Sequence, residues 1–125
     1  NGAGKTTLLK AISRLVTPVS VKAGKELTRE GEPGREFMVI VEGEASVWRG
    51  DEKIADLGPG DFFGELAVVA GVPRTATVKA ETDMTLEALN RREFSTLLDE
   101  SPKLAKKILI GAVKRLHELE EHLIH

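Results

Sequence analysis

Cysteine is absent from the 125 residues, which excludes disulfides, thiolate nucleophiles and zinc–thiolate sites together. A reducing, cytoplasmic setting is the expectation that fits. Neither charge is in excess: 18 basic residues against 20 acidic ones leave a formal net charge of −2. No basic field therefore exists to hold nucleic acid. Long hydrophobic runs are missing too, and nothing approaches the roughly 20 apolar residues that cross a bilayer. No secretory leader pattern is visible, so neither nucleic acid nor membrane is an expected partner. Histidine is confined to positions 117, 122 and 125, so no Ser-His-Asp arrangement can be read. The first residue is Asn rather than Met, as in a fragment or a processed chain.

What is present describes an ordinary globular protein, with 41% apolar and 30% charged residues. A chain of this length buries one modest core, so a single domain over residues 1–125 is expected. Three zones divide it. Over residues 1–17, Leu8, Leu9, Ile12 and Leu15 recur at helical spacing, and Pro18 stops the helix. Over 18–90 the texture is that of strands. Glycine falls at 24, 31, 34, 43, 50, 58, 60, 64 and 71, and proline at 33, 59 and 73. Between them lie the short stretches Val19–Lys22, Phe37–Glu42, Ala45–Arg49 and Thr75–Ala80. In the last of these Ala76, Val78 and Ala80 share one face, and Thr75, Thr77 and Lys79 the other. Many short strands with turn signals between them predict an all-β roll. Glu42-Gly43 and Gly50-Asp51 are placed as hairpin turns, and Met38 and Trp48 at core or edge positions of strands. From Arg91 to 125 helical spacing returns. Ser101-Pro102 suits a helix start, and Leu109, Ala112, Leu116, Leu119 and Leu123 form a heptad-like stripe. Such a stripe can pair with a copy of itself. Gly111 is a weak point at which that helix can bend.

Two stretches carry candidate chemistry. Gly4-Lys5-Thr6 resembles the end of a phosphate loop, G-x-x-x-x-G-K-[ST]. The first glycine of that motif would precede residue 1, and no apolar strand ending in Asp follows to hold Mg²⁺. A turn leading into an ordinary helix is the favoured reading of residues 1–7; an ATPase fragment is the alternative. His122 and His125 share a helix face, but a solvated helix end is preferred over a metal pair, so no metal is expected.

The stronger constellation is FFGELAVVAGVPRTATV, residues 62–78. Gly64 lets backbone approach a ligand closely. The stretch from Glu65 to Val69 predicts one or two helical turns whose first amides lack partners and suit an anion. Arg74, beginning the next strand, can form two parallel bonds to one phosphate. Glu65 would repel that phosphate, so its natural partner is a sugar hydroxyl. A phosphate folded close to its own sugar satisfies both. An ion pair between Glu65 and Arg74, worth about 0–1 kcal/mol at a surface, is the alternative.

Residues 62–78 resemble the phosphate-binding cassette of cyclic nucleotide-binding domains. GEPGREFMVIVEGEASVW (31–48), LGPGDFFGE (57–65) and EALNRREFSTLLDESPKLAKKIL (87–109) resemble the same family, as does LKAISRLVTPVSVKAGKEL (9–27). The resemblance implies a jelly-roll-like double-stranded β-helix, mainly β, with an N-terminal helix, a short cassette helix and C-terminal helices. It implies that Arg74 binds the cyclic phosphate and Glu65 the ribose 2′-hydroxyl. Gly64, Leu66, Ala67, Thr75 and Ala76 complete the ligand-binding set, and an apolar wall includes Val41, Leu66 and Val78. The implied ligand is cAMP, with cGMP possible because Thr75 follows the arginine. The expected protein is a regulatory sensor without catalytic activity of its own. A hinge near Asn90 moves the helix from about Pro102 to signal to a partner. A ligand-free scaffold dimerising through Leu109, Leu116 and Leu123 is the rival.

Overall fold

Glycine and proline cut the middle of the chain into eight short strands, which close into two sheets. The computed structural model describes the backbone of residues 9–124 and the side chains of residues 9–117. The strands are β1 (Val19–Val21), β2 (Glu26–Thr28), β3 (Phe37–Glu42), β4 (Ala45–Arg49), β5 (Glu52–Leu57), β6 (Phe62–Phe63), β7 (Thr77–Ala80) and β8 (Met84–Leu89). The helices are α1 (residues 9–13), α2 (Glu65–Ala70), α3 (Arg91–Glu100) and α4 (Pro102–Ile124). One antiparallel sheet runs β1-β8-β3-β6 and the other β2-β7-β4-β5. The architecture is the expected β-roll with flanking helices. The phosphate-loop-like residues 1–7 lie outside the described residues, as do the side chains of Leu119, His122, Leu123 and His125.

Period-two alternation on the first sheet separates two cores. Met38, Ile40, Met84 and Leu86 turn inward to meet Ala45, Val78 and Ala80 of the second sheet. Phe37, Val39 and Leu89 turn outward, under Ile12, Val68, Phe94, Leu97, Leu104 and Ile108 of the helices. Phe37 anchors this seam, its ring centroid 4.7 Å from Phe94 and 5.4 Å from Phe62. Asn90 begins α3 with a reciprocal capping box: its Oδ1 accepts from the Glu93 amide at 2.8 Å, and its own amide donates to Glu93 Oε1 at 2.9 Å.

Local details depart from the sequence reading. Gly50-Asp51 is a hairpin turn, with Arg49 opposite Glu52. Glu42-Gly43 is not. β3 and β4 belong to different sheets, so this segment is a corner where the chain crosses from one to the other. Gly43 has φ +94°, and a Cβ there would stand 2.5 Å from the Asp83 carbonyl oxygen, so the crossing needs glycine. The strand expected over Thr75–Ala80 begins at Thr77, leaving Thr75 and Ala76 outside the ladder. The first ends at Val21 rather than Lys22. Met38 is core, whereas Trp48 is half-buried and donates from Nε1 to Ser46 Oγ at 2.8 Å. Gly111 does not interrupt α4; a Cβ there would meet the Phe62 ring at 3.3 Å, so the glycine sits where helix and roll approach closely.

Candidate functional site

The turn before the cassette is closed on itself and tied to β3, where the Ile40 carbonyl accepts from the Gly60 amide at 2.7 Å and the Ile40 amide donates to the Asp61 carbonyl at 2.9 Å. The Gly58 amide donates to Asp61 Oδ2 at 2.8 Å, and the Asp61 amide returns to the Gly58 carbonyl at 3.0 Å. β6 then pairs with β3 and delivers the chain to Gly64. Gly64 adopts φ +91°, and a Cβ would lie 2.5 Å from the Glu36 carbonyl and 2.6 Å from Arg74 Nη1. Only glycine fits both the dihedral and the space. α2 follows at once, closed by Gly71 in the left-handed region with its amide on the Ala67 carbonyl at 3.1 Å. The amides of its first turn have no partner within the helix.

Arg74 is fixed at three points. Its amide donates to the Glu32 carbonyl at 2.9 Å, its carbonyl accepts from the Gly31 amide at 2.8 Å, and Nη1 donates to the Glu36 carbonyl at 3.1 Å. A side chain on Gly34 would overlap the guanidinium. The segment 31–36 is thus a cradle for Arg74, a role sequence reasoning did not assign to Gly34 or Glu36. Partial burial lowers the Arg74 pKa, and the Glu36 and Glu65 carboxylates oppose that shift; the group stays cationic at neutral pH. Among the described residues it forms no salt bridge, so most of its fork is free.

That fork opens on a cavity of about 200 Å³. All seven residues nominated from sequence line it: Gly64, Glu65, Leu66, Ala67, Arg74, Thr75 and Ala76. The opposite wall is Thr28, Val47, Arg49, Ile54, Ala55, Leu57 and Val78. Val41 is not among its lining residues; the wall is built from β2, β4, β5 and β7.

Glu65 is 1% exposed, yet it makes no salt bridge with Arg74. Its partner is Arg115 on α4, whose Nη1 lies 2.6 Å from both Glu65 carboxylate oxygens. Arg115 Nη2 donates to the Phe62 carbonyl at 2.8 Å, and the guanidinium stands over the Phe62 ring at 5.4 Å. The surface-pair alternative for Glu65 is therefore replaced by a buried pair with another element. Sequence reasoning gave Arg115 no part in the site. Its pairing spans 50 residues, and the only local hint was an acidic residue placed where a phosphate was expected. Arg115 is also a cavity-lining residue, so α4 contributes a charged group to the site. Chemically, the cavity offers cations and amides for an anion, one buried carboxylate for a hydroxyl, and an apolar wall for a flat ring.

Among the described residues there is no cluster of His, Asp and Glu suited to a metal ion. No described helix is long and apolar enough to cross a membrane.

The chain is similar to known proteins in sequence and in fold. The sequence profile of the family described as "Cyclic nucleotide-binding domain" matches residues 18–101. A cyclic nucleotide-gated potassium channel of Rhizobium etli is 38% identical over 112 residues, 90% of this chain and 31% of the channel. A cAMP-dependent protein kinase regulatory subunit of Hypocrea atroviridis is 35% identical over 91 residues, 73% of this chain and 20% of that protein. The chain therefore spans a third or less of these relatives. Among solved structures, the Thermus thermophilus catabolite activator protein superposes with a TM-score of 0.79 at 26% identity, covering 95% of this chain and 57% of that one. A protein from a cyclic-GMP-dependent signalling pathway of bacterial phytopathogenesis gives 0.78 at 27% identity, covering 90% and 93%.

Proposed function

The chain belongs to the cyclic nucleotide-binding domain family, and from that premise we propose that its cavity takes a 3′,5′-cyclic purine nucleotide as a regulatory signal. Arg74 clamps the cyclic phosphate together with the amides that follow Gly64. Glu65 accepts from the ribose 2′-hydroxyl, and Leu66, Ala67, Thr75 and Ala76 close around phosphate and sugar. The observation that carries this reading is the fork of Arg74, most of it free of protein partners, lining the same cavity as a buried carboxylate. Residues 1–125 act as one such unit, sensing rather than catalysing. Both bases occur among the relatives, one named cAMP-dependent and one placed in a cyclic-GMP pathway.

Signalling follows from the Glu65–Arg115 pair. A carboxylate has about four acceptor positions, so an arriving ribose hydroxyl shares Glu65 with Arg115 and changes the hold on α4. The ligand thereby favours one position of α4 relative to the roll, about the joint at Asn90, and only that difference in affinity transmits a signal.

Calorimetric titration with cAMP and cGMP tests the assignment. Truncating a buried, hydrogen-bonded charge partner costs about 2–5 kcal/mol, so Arg74→Ala weakens binding by at least roughly 30-fold. Equal affinity in wild type and variant would remove Arg74 from the site. A second reading, self-association through α4, draws on one observation: Leu109, Ile110, Val113 and Leu116 are exposed on its outer side. Sedimentation of the ligand-free chain decides it, a monomer at every concentration ending that reading.

A further inference from the structure

The cavity holds a third guanidinium, and it has no assigned task. Arg49 closes β4 at the hairpin with β5, and its Nε donates to the Thr75 carbonyl at 3.3 Å. It is half-buried and lines the same cavity as Arg74 and Arg115. The three are not equivalent. Arg115 is committed to Glu65 and the Phe62 carbonyl. Arg74 stands on the cassette side. Arg49 comes from β4, the neighbour of β7 in the same sheet, and shares the wall with Val47 and with Ile54 and Ala55 of β5. Among the described residues it forms no salt bridge, and Nε is its only side-chain nitrogen with a hydrogen-bond partner.

We propose that Arg49 reads the purine base, and that the base it selects is guanine. The inference rests on the cavity assignment above. With phosphate at Arg74 and ribose at Glu65, the base extends along Val47, Ile54 and Ala55, into reach of the Arg49 fork. Nη1 and Nη2 carry donors only. Guanine presents two adjacent acceptors on its Hoogsteen edge, N7 and O6, which match a guanidinium in bidentate fashion. Adenine replaces the second acceptor with the N6 amino donor, which faces Arg49 donor to donor. The Thr75 carbonyl makes the reading accurate: it ties Arg49 to the residue next to the phosphate clamp, so base reader and phosphate anchor move as one. A bidentate match of this kind discriminates by about 10- to 100-fold.

Calorimetry on the 125-residue chain with cGMP, cIMP and cAMP tests the proposal. Hypoxanthine keeps N7 and O6 but lacks the 2-amino group, so cIMP isolates the edge that Arg49 reads. Wild type is expected to bind cGMP and cIMP at least about tenfold more tightly than cAMP. Arg49→Met brings the three ligands within about threefold by weakening cGMP and cIMP alone. Arg49→Lys, which keeps the charge and loses the fork, also loses the preference. Thermal melts confirm that both variants are folded. Binding of cAMP as tight as that of cGMP overturns the proposal. So does an equal loss of all three ligands in Arg49→Met, which would make Arg49 a second phosphate contact. Wild type that binds none of the three overturns the cavity assignment itself, an outcome distinct from binding without selectivity.

Discussion

Two glutamates are buried almost identically in this protein, and their surroundings set them apart. Glu65, 1% exposed, begins the cassette helix with both oxygens held by Arg115. Glu87, 2% exposed, lies on β8 opposite Val39, under the helical layer, and its Oε2 has no hydrogen-bond partner. The first is a joint between roll and helix at the edge of a cavity. The second is a carboxyl in an apolar seam whose burial pushes its pKa above the ordinary carboxylate range. Burial alone thus says little about a charged residue. The partner decides whether it is a working group or a cost to the fold.

Removing the partner is the most severe way to break that contrast. Arg115→Met leaves Glu65 buried without compensation, in the position Glu87 already occupies. Loss of one member of a buried pair costs about 3–5 kcal/mol, and Arg115 keeps a third of its side chain in water, so about 3 kcal/mol is expected. In a chain of this size that is a fall in Tm of roughly 10 °C. The double variant Glu65→Gln/Arg115→Met removes both charges and is expected to recover most of that loss, since absent charges need no partners. Thermal melts of the three proteins check it. If the double variant is as unstable as Arg115→Met, packing around Phe62, rather than charge, is what Arg115 supplies.

The same contrast marks how far the sequence could be read. The roll was legible because alternation and glycine or proline punctuation are local signals. So was the cassette, because Gly64, Glu65 and Arg74 lie within one short stretch and each is chemically unusual there. Arg115 was not, because its meeting with Glu65 depends on where α4 crosses the roll. The corner at Glu42-Gly43 looked like a hairpin, because a turn residue does not reveal that the following strand joins another sheet. Val41 was expected on the ligand's apolar wall, but that wall belongs to the second sheet. Gly34 and Glu36 meet Arg74, about forty residues on, so neither announced a role. Glu87 stands in MTLEAL, where alternation makes every second residue a candidate for solvent. The helices packed on that outer face override it.

Glu87 supplies the gentlest test. Its proton is held more tightly in the folded chain than in the unfolded one, because burial penalises the charged form. Below the unfolded pKa both states carry the proton, and Glu87 takes nothing from stability. As pH rises through the folded pKa the unfolded chain releases its proton more readily, and stability falls until both states are ionised. Glu87→Gln removes that loss while keeping size and polarity. The variant is expected to match wild type in acid and to exceed it in stability and in Tm at pH 7. Urea midpoints across this range measure the gap. A constant difference between the two proteins at every pH would mean that Glu87 does not change its charge on a different schedule when the chain folds, and its resemblance to an uncompensated Glu65 would fail.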